Sequence, residues 1–149
     1  MTKTVNSMLK GKGFDIWSVS QNDTVFDALT LMGEKKCGAL VVLEEKKLCG
    51  IISERDYARK VILLGKSSKE TLVKEIMSST VFYASPDLTA EECMAIMIDK
   101  HVRHLPVMEN GNLIGVISIG DVVKAVIDEK AFVIDQLERY ITGRPNLDQ

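Results

Sequence analysis

No charge of one sign prevails in this chain: 19 basic residues stand against 21 acidic ones, for a formal charge of −2. Without a basic excess, duplex binding that draws its affinity from phosphate neutralisation is excluded. No apolar run approaches the roughly 18 residues of a transmembrane helix, and the opening stretch MTKTVNSMLKGKG lacks the apolar core of a signal peptide. The expectation is a cytoplasmic protein with neither nucleic acid nor membrane among its partners. Cysteine is scarce. Cys37, Cys49 and Cys93 are odd in number and form no C-x-x-C pair, which excludes a disulfide framework and a thiolate zinc site and leaves them as reduced core fillers. The two histidines, His101 and His104, lie three apart with no further His or Cys beside them, too few for zinc. The signatures G-x-S-x-G, G-x-x-x-x-G-K-[ST] and G-x-G-x-x-G are all missing, and no nucleophile stands beside an evident base. Catalytic residues, metal ligands and a catalytic cofactor are therefore expected to be none.

What is present is an ordinary globular composition, 46% hydrophobic and 27% charged over 149 residues, enough for one domain or for two small units sharing a core. It also contains a repeat. GIISERD at Gly50 to Asp56 reads like GVISIGD at Gly115 to Asp121. Laid over Thr89 to Ile127 without a gap, Thr24 to Ile62 matches at 13 of 39 positions, where chance at ordinary composition gives about two or three. The cysteines follow the same register, Cys37 over Val102, Cys49 over Ile114 and Cys93 over Ala28, in keeping with a packing role.

Each copy reads strand, helix, strand, strand, helix. Asp15 to Val19 and Thr80 to Ala84 are short extended segments. Thr24-x-x-Asp27 and Thr89-x-x-Glu92 have capping-box spacing, and Val25, Leu29 and Met32, like Cys93, Met94 and Met97, then recur at helical intervals as core positions. Ala39 to Leu43 and Leu48 to Ser53 predict a hairpin around a polar turn, repeated by Leu105 to Met108 and Leu113 to Ser118 around Glu-Asn-Gly-Asn. At about 50 residues a copy is too small to bury both faces of its sheet, and pairing the copies removes the difficulty. Val73 to Met77 before the second copy resembles Val5 to Leu9 before the first, so both predict short lead-in helices. Ile127, Ala131, Ile134, Leu137 and Ile141 share one face of a further helix ending near Gly143 and Pro145, an apolar stripe in want of a partner surface. The expected division is a lead-in helix at 1–14, a first repeat at 15–65, a linker with a short helix at 66–79, a second repeat at 80–128, and a terminal helix with tail at 129–149.

The β-α-β-β-α order, the paired G-h-h-S-x-x-D signatures (h, aliphatic) and Val102-Arg-His-Leu-Pro-Val107 together resemble a tandem pair of CBS (cystathionine β-synthase) domains, of the small stand-alone kind, over residues 4 to 128. The resemblance implies an α/β fold of two repeats packed as a pseudo-twofold pair plus a C-terminal helix. It also implies a signalling or regulatory role, a disc-like homodimer and adenosine nucleotides as ligands: AMP first, with ATP or NAD as alternatives.

Read from the residues alone, Ser53 and Ser118 stand where strand passes into helix, and an acid three positions on is again capping-box spacing. The same geometry would let a helix N-terminus meet phosphate and a carboxylate accept from ribose hydroxyls. Both readings stand at this point. The resemblance implies that each site is shared between copies. A first site would combine Ile51, Ser53, Arg55 and Asp56 with Thr80, Val81, Phe82, Arg103 and His104. A second would combine Val116, Ser118 and Asp121 with Ile16, Trp17, Gly38 and Ala39. In the second, Gly120 replaces Arg55 and Gly38-Ala39 replaces Arg103-His104, so its phosphate grip is expected to be weaker for want of cations. Trp17 and Phe82 are strand-core aromatics or base-stacking surfaces. Three functions follow: a nucleotide sensor acting on an unidentified partner protein, a nucleotide-independent dimeric scaffold, and a hydrolase using Asp56 or Asp121 as base, the first being preferred.

Overall fold

The computed structural model describes residues 3–142, with side chains to 140. In chain order the elements are α1 (Val5–Lys12), β1 (Ser18–Val19), α2 (Val25–Lys35), β2 (Ala39–Glu44), β3 (Lys47–Ser53), α3 (Glu54–Lys60), a 3-10 turn (Ile62–Leu64), α4 (Val73–Ile76), α5 (Ala90–Lys100), β4 (His104–Glu109), β5 (Asn112–Ser118) and α6 (Ile119–Thr142). The 65-residue offset governs the backbone in detail. Thr24 and Thr89 cap α2 and α5 by accepting from the N–H groups of Asp27 and Glu92, each at 3.1 Å. Both helices end in a left-handed residue that is not glycine, Lys36 (φ 55°) and His101 (φ 57°). The β2–β3 and β4–β5 hairpins share one antiparallel register, Ala39 opposite Ser53 and His104 opposite Ser118, and each slips at the same place, between Val42 and Leu43 and between Val107 and Met108.

The first extended segment of each copy is shorter than its sequence suggests. β1 has two residues, pairing parallel with Val41 and Val42, and in the second copy only a single bridge, Ala84 to Val107, survives. The rest of the second segment, Thr80 to Phe82, turns aside to line a cleft. A second difference lies at the C-terminus. The helix of the second repeat runs without a break into the terminal helix as the 24-residue α6, whereas α3 stops after seven residues. The stop signal at Gly143 and Pro145, and the side chain of Ile141, lie outside the described residues.

Two cores hold the halves, and each is completed by the other half's lead-in. Val5, Met8 and Leu9 of α1 pack with Cys93, Met97, Leu105, Val107 and Ile117 of the second repeat. Val73 and Ile76 of α4 pack with Val25, Met32, Leu40, Val42 and Ile52 of the first. Backbone bonds tie the exchange: Val5 N–H donates to Leu88 O and Val73 N–H to Asp23 O, both at 2.8 Å. Full burial of side chains such as Leu9 and Val73 is worth roughly 1.5–3 kcal/mol each, so neither repeat retains its core without the crossed helix. The repeated glycines find their reason here. A Cβ at Gly50 would fall 2.7 Å from Met77 Sδ and 3.0 Å from Ser78 O, and one at Gly115 would fall 2.8 Å from Leu9 Cδ2, so both strands give way to the crossed lead-in. Cys93 is fully buried, its thiol pushed up to about 11 by burial and by Glu92, while Cys37 and Cys49 are half-buried at the edge of the first core.

Candidate functional site

Between the repeats lies a cleft of about 810 Å³. Its walls are the end of β3 and α3 from the first repeat, the Ser78–Phe82 segment that follows α4, and the Lys100–His104 stretch that leads into β4. All nine residues of the first predicted set line it: Ile51, Ser53, Arg55, Asp56, Thr80, Val81, Phe82, Arg103 and His104. Of the second set, Gly38 and Ala39 line this same cleft, while Ile16, Trp17, Val116, Ser118 and Asp121 are not part of its wall.

Ser53 and Asp56 form a complete capping box. The Ser53 N–H and hydroxyl donate to Asp56 Oδ2 at 2.9 and 3.1 Å, and the Asp56 N–H donates back to Ser53 Oγ at 3.3 Å. The cap uses one carboxylate oxygen. Asp56 Oδ1 has the Lys60 ammonium beside it, at 3.6 Å, and Lys60 itself is held by the Ile76 carbonyl at 2.9 Å. Capping and ligand binding therefore draw on different oxygens of one side chain.

The cleft is electropositive. Arg55, Arg59, Lys60, Lys100 and Arg103 line it against two carboxylates, Glu54 and Asp56, and the three arginines make no salt bridge among the described residues. Lys100 also stands 5.3 Å over the Phe82 ring, as Lys35 stands 4.3 Å over Trp17 one repeat earlier, so both predicted aromatics are cation-covered. Phe82 packs against the second core, whereas Trp17 is 38% exposed. His104 is held below the ordinary histidine range by burial and by the charge of Lys12, with Asp121 opposing and Arg103 adding to the depression. Beside it, a Cβ at Gly38 would stand at ordinary contact distance from His104, 3.6 Å from Cε1, and close only to the end of the Glu54 side chain, 3.1 Å from Oε1.

The second half keeps the cap but not the surroundings. Ser118 N–H donates to Asp121 Oδ2 at 2.8 Å and Asp121 N–H to Ser118 Oγ at 3.2 Å. The expected want of cations is corrected by Lys12 of α1, whose ammonium donates to Asp121 Oδ2 at 2.6 Å and to the Val116 carbonyl at 3.1 Å. Burial raises the Asp121 carboxyl, but the hydrogen bond from Lys12 and those from Ser118 outweigh it and leave the group below the usual carboxylate range.

Sequence reasoning passed over Arg59 and Lys60, three and four residues beyond Asp56 on one helix, although that spacing is a readable signal. It also passed over Lys100, which the repeat register pairs with Lys35. Lys12, 109 residues from its aspartate, left no local signal.

A family model described as CBS domain matches residues 10–62 and 73–128. The CBS domain-containing protein CBSX3, mitochondrial, of Arabidopsis thaliana is 39% identical over 150 residues, spanning 94% of this chain and 72% of that protein. A solved CBS-domain protein from Burkholderia ambifaria MC40-6 superposes with a TM-score of 0.82 at 50% identity, covering 85% of this chain and 95% of that one. At 19% identity and a TM-score of 0.75, covering 87% of this chain and 99% of that one, the CBS domain pair of protein MJ0100 shares the fold; that protein was solved in complex with 5′-methylthioadenosine and S-adenosyl-L-methionine.

Proposed function

The chain belongs to the CBS-domain family as a tandem pair of repeats, and from that premise we propose that it is a regulatory sensor, not an enzyme, that binds an adenine nucleotide between its repeats and acts on a partner protein. CBS pairs are commonly regulatory modules that take adenosine ligands. The observation that carries the reading is the composition of the cleft: five cations against two carboxylates, around an aspartate whose Oδ1 is left over by its own cap. Guanidinium groups that make no salt bridge among the described residues suit phosphate, and a carboxylate oxygen that the cap does not use suits ribose hydroxyls. The helix start contributes less to phosphate than the sequence suggested, because the Ser53 hydroxyl already takes the Asp56 N–H. AMP is the first choice, with ATP or NAD as alternatives. A homodimer in the cytoplasm is part of the same proposal, although the plant relative is named as mitochondrial.

Calorimetry with AMP, ATP and adenosine tests this. Charge-assisted contacts are worth about 1.5–3 kcal/mol, so Arg103→Ala should weaken AMP and ATP by about tenfold or more while adenosine, which has no phosphate, binds as before. Asp56→Ala should weaken all three. If both variants bind AMP as tightly as the parent, the Ser-Asp pairs are caps only and the dimeric scaffold becomes the function, a reading favoured by the open apolar face of α6.

A further inference from the structure

Past residue 128, where the family match ends, α6 continues to Thr142, about four turns more. Its contacts with the second core come earlier, at Ile119, Val122, Ala125 and Val126. Along a neighbouring side, Val123, Ile127, Lys130, Ile134 and Leu137 recur at alternating spacings of four and three, the core positions of a heptad. All four apolar members are exposed. A free helix of this length is marginal in water, but here the first turns are already held in a folded core, so a short apolar seam is enough to recruit a partner helix.

Lys130 decides how two such seams can meet. In a parallel pair each position meets its own copy, and two Lys130 ammonium groups would share one layer in the middle of the seam. In an antiparallel pair related by a twofold axis at the level of Phe132, Ile127 meets Leu137 of the second copy and Lys130 meets its Ile134. The lysine stem then lies on apolar surface and its charge reaches water at the edge. The same register sets Lys124 opposite Glu138 of the second copy, cation against anion, and Ala131 opposite Ala131, where small side chains let the backbones approach. Two further acids of the helix stand off the seam and are paired within the chain, Asp128 with Lys3 at 3.5 Å and Asp135 with Arg139 at 3.3 Å.

We propose that α6 docks against α6 of a second copy as an antiparallel two-helix seam, with Ile127 packed on Leu137 across the axis. This rests on the homodimer reading and names its interface; it is independent of the nucleotide.

The test is disulfide cross-linking under mild oxidation, read as covalent dimer on non-reducing gels, with Ile127→Cys and Leu137→Cys chains expressed singly and together under tags of different size. Each variant is first checked for native circular dichroism. The parent sets the baseline, since Cys93 is buried and Cys37 and Cys49 are half-buried away from α6. The expected result is a covalent heterodimer from the co-expressed pair, with either variant alone near baseline. Leu137→Cys cross-linking to itself as strongly as the pair would mean a parallel seam and overturns the proposal, as does a pair that stays at baseline while the protein remains dimeric. A parent of single mass in light scattering overturns the homodimer reading itself. Charge exchange gives a second readout that needs no cysteine: Glu138→Lys should weaken the dimer several-fold, and Lys124→Glu/Glu138→Lys should restore it. The two positions lie about 21 Å apart along one helix, so the rescue acts between copies; no rescue counts against the antiparallel register.

Discussion

Asp56 and Asp121 stand at the same place in the same kind of cap, and their surroundings differ. A capping box needs only three residues of local chain, so the spacing in the sequence was sufficient to read it. The cation beside each carboxylate comes from elsewhere, Lys60 one turn on and at the oxygen Oδ1 in one case, Lys12 from a crossed helix and at the capping oxygen Oδ2 in the other. His104 shows the same dependence on distant groups. Burial and the neighbouring Lys12 lower its pKa from the ordinary 6.5. The unfolded chain therefore takes up a proton before the folded one does, and stability should fall as pH drops through 6.5 towards the depressed folded value. Thermal melts at pH 7.5, 6.5 and 5.5 should show a declining midpoint, with a shallower decline in His104→Gln. An equal slope in the variant would remove His104 as the cause.

At the scale of the element, the hairpins show how one topology is written with turn residues of different quality. Two-residue turns of this kind need positive φ at both positions, for which Asn-Gly is favoured. The second hairpin has it, Asn110 at φ 52° and Gly111 at φ 80°, while the first holds Glu45 at φ 50° and Lys46 at φ 67°. Left-handed backbone costs an ordinary residue about 1–2 kcal/mol. Copying the better turn, Glu45→Asn with Lys46→Gly, should stabilise the chain by about 1 kcal/mol or more in urea melts; a loss of stability would show that the polar side chains matter more than the backbone. The helices α2 and α5 and both hairpins were legible because caps, turns and apolar periodicity are short-range. The first extended segments were not, since how much of each pairs is decided by tertiary context rather than by β-propensity, and in the second copy Thr80 to Phe82 line the cleft instead of extending the bridge at Ala84.

At the scale of the whole molecule, the stripe along α6 finds no cover among the described residues: Ile127, Ile134 and Leu137 are 59%, 56% and 54% exposed. An apolar face of that kind marks an association surface. Light scattering should return about twice the 16.5 kDa chain mass at micromolar concentration, and Leu137→Asp should shift it towards the single mass with helix content unchanged; a parent that stays at the single mass would end the dimer reading. The sequence by itself determined the repeat, the hairpins and the caps, because each of these is written within one repeat or in the register between two; the residues that line the first cleft were named through the resemblance to CBS pairs. Only the tertiary structure decided which core each lead-in helix fills. Val5 to Leu9 and Val73 to Met77 present nearly the same apolar edge, so either could serve either half, and the choice falls to long-range packing against Gly50 and Gly115. That crossing carries Lys12 to Asp121, a contact across 109 residues that no local pattern in the sequence announces.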